Sequence, residues 1–254
     1  ISDYSETCCE VEVSFKSVEG DGIRNKMENK VDIICNSTLT IQRFNSQFST
    51  IKGVYLKDAI TQIITKLAPS IEFKSTWLDS CDNIFLTNGY NLRGQDKPLI
   101  LDLDTIFESI NASENIQYSI SGNTFRVEKK FTNNESYTSI TGDFETITKT
   151  INNEMLYANV NIGYKEWQGD PNTSINEYCT VHHYDTGYSQ AKNKLELLSD
   201  FITSKYLIEK AITTTEASYN DKIFMIWRDE SNTLNFNHHF TPARMLNRHL
   251  NYLG

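Results

Sequence analysis

The sequence predicts an α+β fold, with mixed and antiparallel sheets and with amphipathic helices packed on one face. Over residues 56–68, apolar side chains recur every three or four positions until Pro69 ends the pattern, as in an amphipathic helix. Over residues 10–16, apolar and polar side chains alternate, which is typical of a half-buried strand. Residues 104–128 show both patterns in sequence, which predicts a helix followed by a β-hairpin.

The N-terminal third predicts short strands around one helix. A turn at Gly20-Asp21-Gly22 separates the first strand from two further β-rich segments, 31–35 and 39–41. The helix over 56–68 follows, and the chain returns as a strand over 71–73. We interpret this region as the first of two helix-plus-hairpin units in the first half of the chain.

The second unit begins with a predicted helix that Asp104 is expected to cap. Its apolar stripe consists of Ile106, Phe107 and Ile110. Residues 116–120 and 124–128 then flank a short turn around Gly122, which predicts a β-hairpin.

A polar segment, residues 133–142, is predicted to be the loop that connects two α+β regions, 1–132 and 143–254. The second region is expected to contain strands over 155–164, 178–184 and 223–227. Residues 194–212 favour a helix, although 205–209 would also suit a strand. Thr241-Pro242 predicts the start of a last helix, with threonine as the cap and proline at the first helical position.

Charge and hydropathy limit the partners that this chain is expected to bind. The formal net charge of −9 repels a phosphate backbone, so no nucleic acid is expected. Arg244 and Arg248 form the best basic pair, and such pairs are common on the solvent side of helices. No stretch of about 18 apolar residues occurs, so no membrane span is expected. The five cysteines show no CxxC spacing, which favours a reduced cytosolic history.

Candidate reactive groups are few, and none has the spacing of a known catalytic motif. Neighbouring histidines at 182–183 and 238–239 would point to opposite faces of a strand, so each pair offers one ring to a metal site. Asp102 and Asp104 are expected to favour the positive end of the helix that follows. Cys179 would lie too far from His183 along one strand for proton transfer. We therefore predict no enzyme activity, no metal and no cofactor.

A group of aromatic residues in the second half leaves two interpretations open. Tyrosine and tryptophan near a turn are typical of subunit contacts, but they also pack in ordinary cores with a polar tip at the surface. The possible interface residues are Tyr164, Trp167, Tyr178, Arg244 and Arg248.

Three segments, 159–167, 176–180 and 241–249, resemble in order and spacing a part of large virion structural proteins of phages that infect Bacteroidetes, including the crAss-like phages. The resemblance implies a structural domain of a tail, baseplate or neck/tail ring, made in the bacterial host cytoplasm and located in the virion. Its implied partners are copies of itself, as a homo-oligomer, and other virion proteins. The start at Ile1 without an initiator methionine leads us to expect a fragment of a larger protein.

Two alternatives to a structural domain remain, a binding module and a hydrolase, and each would be detected by its own experiment. A carbohydrate- or host-receptor-binding module of a phage tail would stack exposed tyrosine or tryptophan rings on sugar, and a glycan array would detect it. A cell-wall hydrolase would release muropeptides from peptidoglycan, but the sequence lacks the catalytic groups that this reaction needs.

Overall fold

The computed structural model describes residues 21–43, 45–80, 82–130, 156–169, 180–187, 192–228 and 238–250. Its strands are β1 Val31–Ile33, β2 Ser37–Gln42, β3 Phe48–Tyr55, β4 Glu72–Lys74, β5 Ile84–Asn88, β6 Leu99–Leu101, β7 Ile116–Ser121, β8 Thr124–Lys129, β9 Tyr157–Tyr164, β10 His182–Asp185, β11 Asn193–Ser199 and β12 Ile223–Trp227. Its helices are α1 Asp21–Arg24, α2 Leu56–Leu67, α3 Thr76–Ser80, α4 Gly89–Leu92, α5 Leu103–Glu114, α6 Lys205–Thr213 and α7 Pro242–Leu250. The α+β class is confirmed.

The strands of the described ranges form four sheets. An antiparallel sheet has the order β12-β5-β3-β2, and a two-stranded ribbon pairs β1 with β6. The β7–β8 hairpin gains β4 as a parallel third strand, and β9 lies between antiparallel β10 and parallel β11. Mixed and antiparallel sheets therefore coexist, as the sequence predicts.

The four-stranded sheet is buried on both faces at its centre. All five residues of β5 are buried, because α2 packs toward one face and α6 toward the other. Two hydrophobic clusters result: a large one with the stripe of α2, and a smaller one between the sheet and α6. The helices thus cover both faces of this sheet, whereas the sequence led us to expect one.

The two helix-containing units of the first half differ from each other. The second unit has the predicted form, with α5 followed by the β7–β8 hairpin. In the first unit the hairpin, β2–β3, precedes α2, and the single strand β4 after α2 joins the sheet of the second unit. The cap of α5 is Asp102 rather than Asp104, since the Asp102 carboxylate accepts a hydrogen bond from the Thr105 amide at 2.7 Å.

The prediction of one helix over 194–212 is wrong. Residues Asn193–Ser199 form β11, which pairs in parallel with β9, and only Lys205–Thr213 are helical. The physical reason is that Leu195 and Leu197 face the core with the period of two that a strand requires. Over 205–209 the helical interpretation is confirmed and the alternative of a strand is wrong, because these residues begin α6.

Parts of both predicted regions contribute to one core. Strand β12 pairs with β5, and α7 packs on α5, so segments from the second region contact the first directly. The large hydrophobic cluster runs from Ile23 to Leu246. The predicted connecting loop, 133–142, and the first predicted strand, 10–16, lie outside the described residues.

Candidate functional site

The predicted interface tyrosine, Tyr164, is a core residue. Its side chain is fully buried at the end of β9, and its hydroxyl donates to the Phe240 carbonyl at 2.5 Å. The same hydroxyl accepts a hydrogen bond from the Thr203 hydroxyl at 2.6 Å. Because no part of the ring reaches solvent, the structure contradicts a contact role for Tyr164 and supports the alternative of core packing.

The other predicted interface residues have different positions. The Trp167 ring is 47% exposed and rests on Gly169, where an added Cβ would come within 2.5 Å of the ring. Arg244 is exposed on α7. Arg248 is only partly exposed, and its guanidinium faces the buried carboxylate of Glu114. Tyr178 lies outside the described residues.

The ionic cluster surrounds Glu114, which is only 2% exposed at the last residue of α5. Lys129 of β8 forms an ion pair with this carboxylate, and the His239 ring nitrogen Nε2 lies 2.6 Å from Oε1. The Arg248 guanidinium is 3.5 Å from Oε1. Three separate elements therefore supply the groups that face one buried carboxylate.

Electrostatics explains why Glu114 is charged in this position. Burial alone would raise its pKa, but the hydrogen bond from His239 and the charges of Lys129 and Arg248 outweigh burial and hold the pKa below its ordinary value. Burial lowers the pKa of the His239 ring, against the opposing effect of Glu114. A neutral His239 that donates its Nε2 proton to an ionised Glu114 agrees with both shifts.

Further contacts of this cluster attach α7 to the end of α5. Arg248 donates to the carbonyls of Ser113 and His239, each at 2.7 Å. The Asn115 amide donates to the Arg248 carbonyl at 3.1 Å. The His239 ring stacks on Trp227, with ring centroids 3.4 Å apart. Since each polar group has a protein partner, the geometry favours a structural role that fixes the position of α7.

The remaining candidate reactive groups do not converge. On β10, His182 is partly buried and His183 is exposed, as expected for neighbours on a strand. His239 lies in a 3₁₀ turn instead of a strand. Within the described residues, no group of three or more His, Cys, Asp and Glu side chains could hold a metal ion. Cys179 lies outside those residues, so its distance from His183 stays a prediction.

The β1–β6 ribbon displays aliphatic side chains to solvent. Its inward side chains, Val31, Ile33, Leu99 and Leu101, are all at most 8% exposed, which anchors the ribbon in the core. On the outward face, Ile34 is 65% exposed and Ile100 is 55% exposed. With Asp32 opposite Ile100 in the register, Ile34 and Ile100 are diagonal neighbours on that face. We call this pair the ribbon patch.

Helix α2 holds the free side of β1 in place. The Gln62 amide spans the backbone of Ile34, accepting from its N–H at 2.8 Å and donating to its carbonyl at 3.1 Å. Lys66 donates to the Asp32 carbonyl. Strand β1 is thus bounded by β6 on one side and by helix side chains on the other, and hydrogen bonds hold the backbone under the ribbon patch.

Two shallow grooves flank α5 and share Glu108 and Asn111. One, of about 360 Å³, lies between α5 and β7 and includes Tyr118, which is 43% exposed. The other, of about 320 Å³, lies between α5 and β11. Tyr118 stacks on Phe107 with ring centroids 5.0 Å apart, so the first groove has an ordered aromatic wall.

Sequence reasoning missed the ionic cluster and the ribbon patch. One local signal for the cluster existed: an acidic residue at the C-terminal end of a helix opposes the helix dipole, and Glu114 therefore needs cations nearby. For the ribbon patch, the signal was Ile34, which is out of phase with the alternation of Val31 and Ile33.

None of the helices in the described ranges has the length and apolar character that a bilayer span requires. Comparison with protein-family models, with curated proteins and with solved structures finds no match for this chain.

Proposed function

We propose that this chain is a structural domain of a phage virion, from a tail, baseplate or neck/tail ring, that acts by oligomeric assembly and by docking to other virion proteins. The resemblance of segments 159–167, 176–180 and 241–249 supplies the class of particle. The ribbon patch carries the proposal on the structural side. Its mechanism is burial of complementary surface, with no turnover.

The ribbon patch supports assembly because its aliphatic side chains are exposed on a backbone that hydrogen bonds already hold in place, so a partner can cover them with little further ordering of the backbone. Ile34 and Ile100 are the two described apolar side chains of this ribbon that remain in solvent. Burial of an isoleucine side chain contributes about 1.5–3 kcal/mol, so a contact over both has enough energy to matter in an interface. The negative charge of Asp32, beside them on the same face, would favour a partner surface with a positive charge at that point.

The solution mass, measured by light scattering over a range of concentrations, tests this function. We expect a discrete oligomer, and we expect Ile34→Ser with Ile100→Ser to reduce its population. The control is Ile120→Ser, a partly buried position of the β7–β8 hairpin away from the ribbon patch. A strict monomer at every concentration would contradict self-assembly of this chain.

The groove beside Tyr118 favours a second candidate, a carbohydrate- or host-receptor-binding module of a phage tail. Sugar rings stack on half-exposed aromatic side chains, and amide and carboxylate groups bind their hydroxyls. Asn111, Gln117 and Glu108 line this groove with Tyr118.

A glycan array separates the two candidates. Binding that disappears in Tyr118→Ala and persists in Trp167→Ala would support the groove as a sugar site. Absence of binding to every glycan, together with a discrete oligomer, would support the structural domain.

A further inference from the structure

Strand β2 lies at the edge of the four-stranded sheet and pairs only with β3 among the described residues. Its six residues, Ser-Thr-Leu-Thr-Ile-Gln, contain no charge and no proline. Natural edge strands usually carry lysine, proline or a bulge, which block pairing with another chain. Strand β2 has none of these, and its register with β3 is regular.

The backbone of β2 presents hydrogen-bonding groups to this free edge at every second residue. Arg43 N donates to the Gln47 carbonyl at 2.8 Å, so Arg43 and Gln47 form a hydrogen-bonded pair. In an antiparallel ladder such pairs recur at every second residue, so residues 41, 39 and 37 also form hydrogen bonds with β3. The N–H and C=O groups of Thr38, Thr40 and Gln42 therefore point away from β3. Lys52, which lies opposite Thr38, confirms this assignment. Its carbonyl faces away from β2 and accepts a hydrogen bond from the Thr87 hydroxyl at 2.6 Å.

A second copy of the same strand is complementary to this edge. In antiparallel pairing about a two-fold axis at Thr40, the outward-pointing groups of Thr40 meet those of Thr40 in the second copy. Thr38 then meets Gln42 of the second copy, and the buried face brings Leu39 beside Ile41. Polar residues oppose polar residues on one face, and apolar residues oppose apolar residues on the other.

Charge also favours a second copy at this position. The whole chain carries a formal charge of −9, so two copies repel each other on average. The uncharged β2 edge is a place where the two backbones can approach without a close pair of like charges. Arg43, which follows β2, has its charge paired with Glu209 at 2.9 Å.

We infer that two copies of this chain associate through antiparallel pairing of their β2 strands, centred on Thr40, so that two four-stranded sheets join into one. The inference rests on the proposed assembly function and names the partner and the surface. A contact of one short strand is smaller than the roughly 1,200–2,000 Å² of a stable interface, so the isolated dimer is weak. In a particle with many copies, high effective concentration strengthens it.

Cysteine cross-linking of the full chain tests the register. In Thr40→Cys, the two Cα atoms of the pair would lie about 5.5 Å apart, within the range that a disulfide spans. Thr38→Cys is the matched control: it is exposed on the same strand, but its two copies would be offset by about 14 Å along the strand direction. Under mild oxidation, we expect disulfide-linked dimer from Thr40→Cys at least about tenfold faster than from Thr38→Cys or from the unsubstituted chain, whose own cysteines set the background.

A second variant tests the backbone hydrogen bonds. Thr40→Pro removes an N–H that points to the free edge, a position where an edge strand tolerates proline. We expect the dimer dissociation constant in sedimentation velocity to rise at least about tenfold, with thermal unfolding nearly unchanged. Mixing Thr38→Cys with Gln42→Cys should restore cross-linking, because these positions face each other between copies.

The outcomes also separate this inference from the proposed function. A discrete oligomer in which Thr40→Cys and Thr38→Cys cross-link at equal rates would leave assembly standing and overturn pairing through β2. A monomer whose amides at 38, 40 and 42 are protected from hydrogen exchange would show that another segment of the same chain covers the edge, and it would overturn both. An oligomer of Thr40→Pro as stable as that of the unsubstituted chain would overturn the β2 contact alone.

Discussion

At the scale of single residues, Glu114 shows how a fold can hold a buried charge. It is the most deeply buried of the described acidic side chains, and it stands where the helix dipole of α5 is unfavourable to it. The cations Lys129 and Arg248 and the hydrogen bond from His239 offset both the burial of the charge and its unfavourable interaction with the helix dipole. The carboxylate is therefore a local centre that joins α5, β8 and the chain before and within α7.

We expect Glu114→Gln to lower the free energy of unfolding by about 3 kcal/mol at neutral pH, because it removes the buried negative charge that faces the partly buried cations of Lys129 and Arg248. Urea denaturation measures this change. The control is Glu166→Gln, whose ion pair with Lys222 is exposed and contributes little. Equal effects of the two substitutions would contradict the structural role of the cluster.

The stability contributed by Glu114 also depends on pH in a defined direction. Its pKa in the folded protein is below that of the unfolded chain, so the contribution is present above the unfolded value and is lost as pH falls through the folded value. The difference between Glu114 and Glu114→Gln should therefore shrink in acid.

Asp82 shows the opposite behaviour. Burial raises its pKa from 3.8 to about 7, Asp58 adds to this effect, and the hydrogen bond from the Lys57 amide opposes it. Its Oδ1 atom is buried and has no hydrogen-bond partner among the described residues. The pKa of Asp82 is higher in the folded protein than in the unfolded chain. The stability linked to its protonation is therefore fully present below about pH 4 and is lost as pH rises through about 7.

We expect Asp82→Asn to stabilise the protein by about 1–2 kcal/mol at pH 8 and by much less at pH 4.5, after allowance for partial exposure of the side chain. Urea denaturation at the two pH values measures the difference. Asp79→Asn serves as the control, since Asp79 is an exposed partner of Lys57. A gain that is the same at both pH values would show that the charge of Asp82 is not its cause.

At the scale of elements, the start of α5 depends on one of two similar residues. Asp102 accepts the Thr105 amide, while Asp104 lies within the first turn, where burial, with help from Glu108 and Asp102, raises its pKa. The sequence motif alone does not distinguish them, because both precede the apolar stripe and both are aspartates. The β-region backbone of Asp102, with ψ of 164°, decides which one is the cap.

We expect Asp102→Ala to cost about 1 kcal/mol of stability, the usual effect of a lost helix cap, and Asp104→Ala to cost less than half of that. Thermal or urea unfolding of both variants at pH 7 makes the comparison. The reverse order would mean that the charge of Asp104 at the helix dipole outweighs the Asp102 hydrogen bond.

The misassigned stretch over 194–212 is a second case at this scale. Leu195, Leu198 and Phe201 have helical spacing, but Leu195, Leu197 and Ser199 have strand spacing in the same residues. A parallel neighbour, β9, decides between the two patterns by providing a ladder of backbone hydrogen bonds. The helix over Lys205–Thr213 begins only after that ladder ends.

At the scale of the whole molecule, net charge opposes the association that we propose for the β2 edge and the ribbon patch. The repulsion between two copies of charge −9 is screened by salt, whereas backbone hydrogen bonds and apolar contacts are not. We therefore expect the oligomer fraction in sedimentation velocity to rise between about 20 mM and about 500 mM salt. A fall with salt would instead indicate that opposite charges hold the copies together.

The sequence by itself determined the elements whose pattern is local and unambiguous. The α2 stripe, the β7–β8 turn around Gly122, strand β12 and the Thr241-Pro242 helix start all follow from spacing, turn residues or a fixed proline φ. These signals depend on only a few neighbouring residues, so they predict local structure independently of the tertiary contacts that the chain makes.

Only the tertiary structure decided which side chains are buried by distant partners. It brought Lys129, His239 and Arg248 to Glu114 and placed Tyr164 in the core. It left Ile34 and Ile100 exposed, and it gave the outer edge of β2 no partner strand among the described residues. Burial and strand order depend on contacts between residues far apart in the chain, and periodicity reports only which side of an element is apolar. For that reason the sequence led us to expect assembly, but it could not indicate which surface we now propose for it.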